Sequence, residues 1–201
     1  MEKVDFDLAK YDYCLCITDT KGSHASLTDE YAAVRQEMEA VAAYFDKSVL
    51  REVDESAFYA DIAGVREKLG DRAVLRAIHF FADSRRAGAL CSAIREDRFE
   101  DFLELIVAGG HSSFEYNQNA YSAKIRGSRA FSLGLALSQH ILEGYGAWRL
   151  QGGGFAGTIQ AFVPVHLLEA YRAAMDSVFG EGSCYVLNVR NYGALCVTEA
   201  L

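Results

Sequence analysis

The sequence predicts an α+β domain, in which helices pack on a sheet built from hairpin-linked strands. Three observations lead to this prediction. Two strand-like runs, residues 145–150 and 158–163, flank a glycine-rich stretch, which is the pattern of a β-hairpin. A block of helical patterns precedes this hairpin, and further strand-like runs stand near the two ends of the chain. Because the helices are grouped apart from the strands, a doubly wound parallel sheet is not expected.

The first strand and the helix after it are predicted from the first 45 residues. Residues 11–20 form an apolar, β-prone run, which predicts a buried strand that ends at an acidic turn with a glycine. Thr28 stands where a capping hydroxyl is expected, so we predict that it caps the following helix. The apolar residues of that helix recur at spacings of three and four, and they are Val34, Met38, Val41, Ala42 and Phe45.

Helical patterns fill the middle of the chain. Residues 49–69 predict short helical segments with turns, in which Phe58, Tyr59 and Ile62 serve as apolar anchors. Asp71 is expected to cap a long helix that comes next.

Another helix is predicted over residues 99–107, after a charged break at residues 95–98. It is expected to stop at Gly109 and Gly110, because glycine commonly ends helices. The polar residues 111–119 are then predicted to form turns and loop.

The last third of the chain adds a helix on each side of the hairpin and two final strands. Helical periodicity returns over residues 128–142. Pro164 suits the first turn of a helix that runs to Val178. Residues 184–189 and 194–198 predict two strands joined by a turn.

The composition describes a folded chain that can bury a substantial core. Its 201 residues are 51% hydrophobic and include one proline, so one large domain or two small lobes are expected. The formal net charge of −8 argues against a general nucleic-acid-binding surface, because phosphate backbones are held by clustered Lys and Arg. No apolar run approaches the roughly 20 residues that span a bilayer, so no membrane segment is predicted.

The five cysteines lack the spacing of metal ligands, and neither they nor the five histidines predict a metal site. Cys14 and Cys16 alternate on one face of the predicted first strand, which indicates a core position. An odd number of cysteines and a charged N-terminus that is unlike an export signal predict a reducing, cytoplasmic setting.

The stretch between the two hairpin strands has more glycine than a tight turn needs. Its residues are Gly152, Gly153, Gly154, Phe155, Ala156 and Gly157. A backbone without side chains adopts left-handed angles and approaches other groups closely. The residues alone leave two interpretations open: a plain turn, or a loop whose bare amides face a phosphate or brace a neighbouring phosphate loop.

Residues 152–157 resemble the third motif of the GHMP small-molecule kinases, and within them the Gly-Gly-Gly-Phe-Gly-Gly loop of the galactokinases. Ala156 stands at the fifth position of that motif. Three further stretches resemble the C-terminal half of galactokinases in the family's order, and they are residues 18–31, 50–53 and 110–113. Residues 116–121 replace the family's Cys-Pro-Glu-Leu-Asp stretch, which indicates a divergent branch.

The resemblance implies a GHMP-kinase C-terminal domain over residues 1–201, with a mostly antiparallel sheet and helices packed on it. It implies that Tyr31 contacts the sugar and that Gly152, Gly153, Gly154 and Gly157, with Phe155 and Ala156 between them, border the nucleotide phosphates. His24, Asp29 and Glu30 are further candidates for the same rim, although capping also explains the two carboxylates.

The resemblance also implies ATP and Mg²⁺ as cofactors, bound mainly by an N-terminal lobe that this chain lacks. That lobe would carry the sugar-recognition motif, the phosphate loop and the catalytic Asp and Arg. We therefore expect no catalytic residue and no metal site in this chain, and an isolated chain that is inactive. Its expected partner is its own N-terminal lobe, and self-association is expected through the apolar face that this lobe would cover.

Three functions remain open. The first is the C-terminal lobe of an ATP-dependent kinase that converts galactose and ATP to galactose 1-phosphate and ADP. The second is a non-catalytic relative that senses sugar and nucleotide and contacts a regulatory partner. The third, a self-standing small-ligand module, rests on the α+β fold alone.

Overall fold

The computed structural model describes residues 4–22, 27–122, 124 and 129–189. Within these ranges the fold is organised around four strands: β1 (Tyr13–Asp19), β2 (Ala147–Leu150), β3 (Thr158–Pro164) and β4 (Cys184–Leu187). They form one sheet in the order β2-β3-β1-β4, and every neighbouring pair is antiparallel.

Strand β1 lies inside the sheet, although it comes first in the chain. It pairs with β3 along its whole length, from Tyr13 opposite Pro164 to Asp19 opposite Thr158. Strands β2 and β3 form the predicted hairpin. Because β1 ends opposite the start of β3, the turn after β1 and the glycine-rich loop before β3 meet at one end of the sheet.

Seven α-helices lie in the described ranges: α1 (Thr28–Tyr44), α2 (Glu55–Ala60), α3 (Ile62–Leu69), α4 (Asp71–Arg95), α5 (Phe99–Ser112), α6 (Ala130–Leu142) and α7 (Leu168–Phe179). A π-helical turn, Ser113–Asn117, extends α5. The predicted α+β class with an antiparallel sheet is confirmed. None of the helices in the described ranges is long and apolar enough to cross a bilayer.

The apolar interior has a helical part and a sheet part, and α4 contributes to both. Helices α1 to α4 enclose Val41, Phe58 and Val65, which are fully buried. Against the sheet, Tyr171 and Met175 of α7 are equally inaccessible. The first half of α4 packs in the helical core and its last turns pack with α5 against the sheet, so this 25-residue helix joins the two.

Both predicted helix caps are wrong. Thr28 is the first residue of α1, and Leu27 occupies the cap position without a side-chain hydrogen bond. Asp71 is likewise inside α4, behind Gly70 at the cap. Its carboxylate accepts a hydrogen bond from Arg66 at 2.5 Å, so that side chain ties α3 to α4 instead of capping.

The predicted end of the fifth helix at Gly109 and Gly110 is also wrong, because α5 continues through both residues. A Cβ atom on Gly110 would lie 3.0 Å from the carbonyl oxygen of Trp148 and 3.3 Å from the Cα atom of Arg149. The glycine therefore lets α5 lie against the backbone of β2. Close helix–strand packing, not termination, explains this glycine.

Two smaller differences concern single residues. Tyr59 is 44% exposed and is not the core anchor that we predicted. Pro164 ends β3, and a 3₁₀ turn, Val165–Leu167, separates it from α7. Cys16 is buried and Cys14 is half-buried, as expected for the first strand. The predicted strand 194–198 lies outside the described residues.

Two helical glycines should respond oppositely to alanine. Gly88 is exposed in α4, and an added Cβ atom would meet nothing within 4 Å, so Gly88→Ala should raise the free energy of unfolding by roughly 0.8 kcal/mol through helix propensity. Gly110→Ala should lower it by about 1 kcal/mol or more, because the β2 backbone must shift. Urea denaturation of both variants measures the signs, and a stabilised Gly110→Ala protein would contradict the proposed close packing.

Candidate functional site

The glycine-rich loop between β2 and β3 has an unusual backbone. Gly152, Gly154 and Gly157 adopt left-handed angles, with φ of 70°, 85° and 105°, and Phe155 does so at 59°. Left-handed angles favour glycine because they bring a Cβ atom against the following carbonyl oxygen. The glycines are therefore needed for the path of this loop.

Phe155 is the one non-glycine residue of the loop in the left-handed region, and contacts outside the loop hold it there. Its side chain is buried beside Leu27 and Ala156, and its ring meets the Tyr31 ring edge-on, with centroids 5.2 Å apart. Its N–H donates to the carbonyl oxygen of Asn119 at 2.5 Å. Burial and hydrogen bonding together offset the backbone strain.

Tyr31, in the first turn of α1, is the predicted sugar-contacting residue, and it lies against the loop. Its hydroxyl donates to the carbonyl oxygen of Gly154 at 2.6 Å. A Cβ atom on Gly153 would lie 2.8 Å from the Tyr31 ring, so the ring can approach only because that residue is glycine. Burial raises the pKa of Tyr31, which keeps the hydroxyl protonated and able to donate at neutral pH.

Asn119 is the site residue that sequence reasoning missed. It is 4% exposed, its Nδ2 donates to the carbonyl oxygen of Gly153 at 3.1 Å, and its own carbonyl accepts the Phe155 N–H. It lies in the stretch that departs from the family pattern. A polar residue between Gln118 and Ala120 has no local pattern that marks it as buried, so only the departure itself pointed there.

Ala156 fits its position because its φ is not in the left-handed region. Its side chain fills the space that Gly22 leaves open, since a Cβ atom on Gly22 would lie 3.2 Å from that of Ala156. Next to it, the carbonyl oxygen of Gly157 accepts hydrogen bonds from the N–H and the hydroxyl of Thr20, at 2.9 and 2.8 Å. The turn after β1 is thus hydrogen-bonded to the last residue of the loop.

The tip of the loop, residues 151–153, exposes backbone that another group can approach closely. Gln151, Gly152 and Gly153 are exposed, and the N–H groups of Gly152, Gly153 and Gly154 donate to no described residue. Successive backbone N–H groups can form an anion-binding concavity, which is the chemistry that the predicted phosphate role requires. In the described part of the chain, no group of three or more His, Cys, Asp or Glu side chains is arranged to hold a metal.

Of the other predicted rim residues, Asp29 and Glu30 lie in the described part of the chain, and neither contributes a free group to this cluster. Glu30 is buried and accepts a hydrogen bond from the Ser122 hydroxyl at 2.8 Å, while Asp29 is exposed. His24 lies outside the described residues. His111, which belongs to the family-like stretch 110–113 and was not a rim candidate, lines a separate groove of about 1070 Å³ between α5 and the start of β2.

Ser112, the residue after His111, is buried and connects α5 to α4. Its hydroxyl is 2.9 Å from Nδ1 of His79, which is also buried. Burial lowers the pKa of His79; Asp83 opposes this shift, and Arg86 and Arg149 add to it. This motif therefore supports the helical core in the described structure.

Comparisons with known proteins find galactokinases. No protein-family model matches the chain. The galactokinase of Glaesserella parasuis is 27% identical over 160 residues, which are 80% of this chain and 40% of that protein. The galactokinase of Streptomyces coelicolor is 25% identical over 179 residues, which are 88% of this chain and 43% of that protein.

A solved structure gives the same result for the fold. The crystal structure of Lactococcus lactis galactokinase complexed with galactose matches with a TM-score of 0.66 at 22% identity, over 89% of this chain and 45% of that one. The predicted resemblance to galactokinases is confirmed. The chain spans about two fifths of the length of the curated relatives it matches, which is consistent with the predicted C-terminal portion. The roles of Tyr31 and the loop stay predictions.

The fit between the loop and Asn119 predicts the effect of a single methyl group. A Cβ atom on Gly154 would lie 2.1 Å from the carbonyl oxygen of Asn119, at a φ of 85°. Gly154→Ala should therefore lower the free energy of unfolding by about 3 kcal/mol, from overpacking and left-handed strain together.

The matched control is Gly152→Ala, which has a φ of 70° and nothing within 4 Å of the added atom. It should cost only the strain, roughly 1–2 kcal/mol. Urea denaturation of both variants tests the difference, and equal losses of stability would contradict the described contact with Asn119.

Burial of His79 predicts a pH dependence of stability. Because the folded pKa is below the ordinary value of 6.5, the unfolded chain takes up the proton first as pH falls, and stability should decrease below about pH 6.5. His79→Asn removes the titrating group, so its free energy of unfolding should fall less between pH 7 and pH 5. Equal slopes for the two proteins in urea denaturation would show that His79 is not responsible.

Proposed function

We propose that this chain is the C-terminal lobe of an ATP-dependent sugar kinase of the galactokinase type, which converts galactose and ATP to galactose 1-phosphate and ADP. The similarity to galactokinases supports the reaction class. The observation that carries the proposal is the hydrogen bond from Tyr31 to Gly154, because it joins the residue proposed for the sugar to the loop proposed for the phosphates.

In this proposal Tyr31 is a sugar-binding residue. Its hydroxyl donates to the carbonyl oxygen of Gly154 at 2.6 Å, and a phenol oxygen can donate one hydrogen bond and accept another, which is the role proposed toward a sugar hydroxyl. The half-buried ring offers an apolar edge against which the C–H groups of a sugar pack. Tyr31 therefore recognises a hydroxyl donor without leaving the loop.

The proposed role of the loop is to border the nucleotide and the phosphate loop of an N-terminal lobe. When bound, ATP with Mg²⁺ supplies the phosphoryl group, and its transfer depends on positioning and charge neutralisation. The exposed Gly152 and Gly153 allow close approach of a phosphate-binding surface. As the resemblance implies, the proposal assigns Mg²⁺, the catalytic residues and turnover to an N-terminal lobe, in a cytoplasmic enzyme.

Calorimetry and a kinase assay test the proposal on two proteins: this 201-residue chain and the same chain extended upstream into its reading frame. With Mg-ATP and galactose as probes, the extended protein should bind both and form galactose 1-phosphate. The 201-residue chain should show no turnover. Binding without phosphorylation by the extended protein would favour a sugar and nucleotide sensor, and turnover by the 201-residue chain alone would refute the split site.

Tyr31→Phe in the extended protein tests the sugar contact. It should raise the KM for galactose about fivefold, the effect of one hydrogen bond, and it should also raise the KM for Mg-ATP, because it removes the bond that anchors Gly154. Tyr59→Phe is the control, because Tyr59 is 44% exposed and lies in α2, outside the cluster.

A further inference from the structure

We infer that Asn119 is a positioning residue that holds the glycine-rich loop in the conformation in which its tip meets a phosphate. The anchoring of the loop follows from geometry alone, and the effect on catalysis rests on the proposed function. Asn119 is not assigned by the motifs that resemble the family, because it lies in the stretch where this chain departs from them.

Asn119 engages three consecutive loop residues in three different ways. Its Nδ2 donates to the carbonyl oxygen of Gly153 at 3.1 Å, and its own carbonyl oxygen accepts the N–H of Phe155 at 2.5 Å. Between these bonds, Gly154 lies so close that any Cβ atom would meet the Asn119 carbonyl oxygen at 2.1 Å. Asn119 therefore contacts three consecutive residues of the loop.

The loop needs such an anchor, because its own hydrogen bonds are few. The Gln151 N–H donates to the carbonyl oxygen of Thr158 at the base, and the Ala156 N–H donates to that of Gly154. Glycine-rich backbone samples many conformations when it is not held. Three side chains outside the loop donate hydrogen bonds to it in the described residues: Thr20 to Gly157, Tyr31 to Gly154 and Asn119 to Gly153.

Asn119 can hold the loop because its own segment is held from the helical core. Two residues earlier, the carbonyl oxygen of Asn117 accepts a hydrogen bond from Nε of Arg76 at 3.2 Å. Arg76 is 1% exposed and its Nη1 is 2.8 Å from a carboxylate oxygen of Glu37. Glu37 belongs to α1, the helix that also carries Tyr31. Tyr31 and the segment of Asn119 are therefore both connected to α1.

Hydrogen exchange measured by mass spectrometry on the 201-residue chain tests the anchor without any ligand. Asn119→Asp keeps the shape of the side chain but replaces the donor to Gly153 with an acceptor. The amides of Phe155 and Ala156, which are hydrogen-bonded in the described structure, should exchange about fivefold faster or more, while those of β3 change less. Asn188→Asp, the same substitution at an exposed position, should leave the loop unchanged.

Two results would overturn the anchor: unchanged exchange in the loop, or an equal increase in the loop and in β3, which reports global unfolding. Because a buried carboxylate also weakens the fold, Asn119→Ala is measured in parallel. It removes the donor without adding a charge, and a loop-specific increase is expected there as well.

Steady-state kinetics of the extended protein test the catalytic consequence. Asn119→Asp should lower kcat or raise the KM for Mg-ATP severalfold and leave the KM for galactose within about twofold, in contrast to Tyr31→Phe. If exchange in the loop rises but neither Mg-ATP parameter changes, the anchor is real and the proposed role of the loop fails. If exchange does not change, the anchor itself fails, whatever the activity.

Discussion

The structure of the candidate site depends on the hydrogen bond from the Tyr31 hydroxyl to the Gly154 carbonyl oxygen. A loop with several left-handed residues has little conformational preference of its own, so contacts from outside must define its path. The Tyr31 bond supplies one such contact from the start of α1. Without a partner of this kind, the exposed amides at the loop tip would have no defined direction.

Buried polar groups connect the helical core to the segment that holds the loop. Arg76 connects α4 to Glu37 of α1 and to the backbone at Asn117. Burial lowers the pKa of Arg76, and the nearby Glu37 carboxylate opposes that shift. A buried cation with a carboxylate partner and a backbone acceptor ties these neighbouring elements together, because removing a partner would leave a buried charge uncompensated. Asn117, Asn119 and Ala120 of the divergent stretch are therefore buried against this framework, although the stretch is mostly polar in sequence.

Local patterns in the sequence predicted most elements but not what glycine and polar residues do within them. The strand 13–19, the β2–β3 hairpin and the long helices followed from apolar periodicity, because their burial repeats along the chain. Gly109 and Gly110 were read as a helix end, since a glycine that ends a helix and one that admits a neighbouring strand look alike in sequence. The predicted caps at Thr28 and Asp71 are each wrong by one residue, because sequence patterns locate a helix end only to within one or two residues.

The sequence by itself determined the α+β class, the glycine-rich loop and the resemblance that drew attention to Tyr31, because each depends on residue type and spacing within a short segment. The tertiary structure decided that Tyr31 and the loop form one cluster, and that Asn119 completes it. The hydrogen bonds from Tyr31 to Gly154 and from Asn119 to Gly153 join positions 123 and 34 residues apart in the chain, and such pairings arise from how the helices pack on the sheet. No local propensity encodes them, because each partner is polar or small and becomes a site residue only when the others are in place.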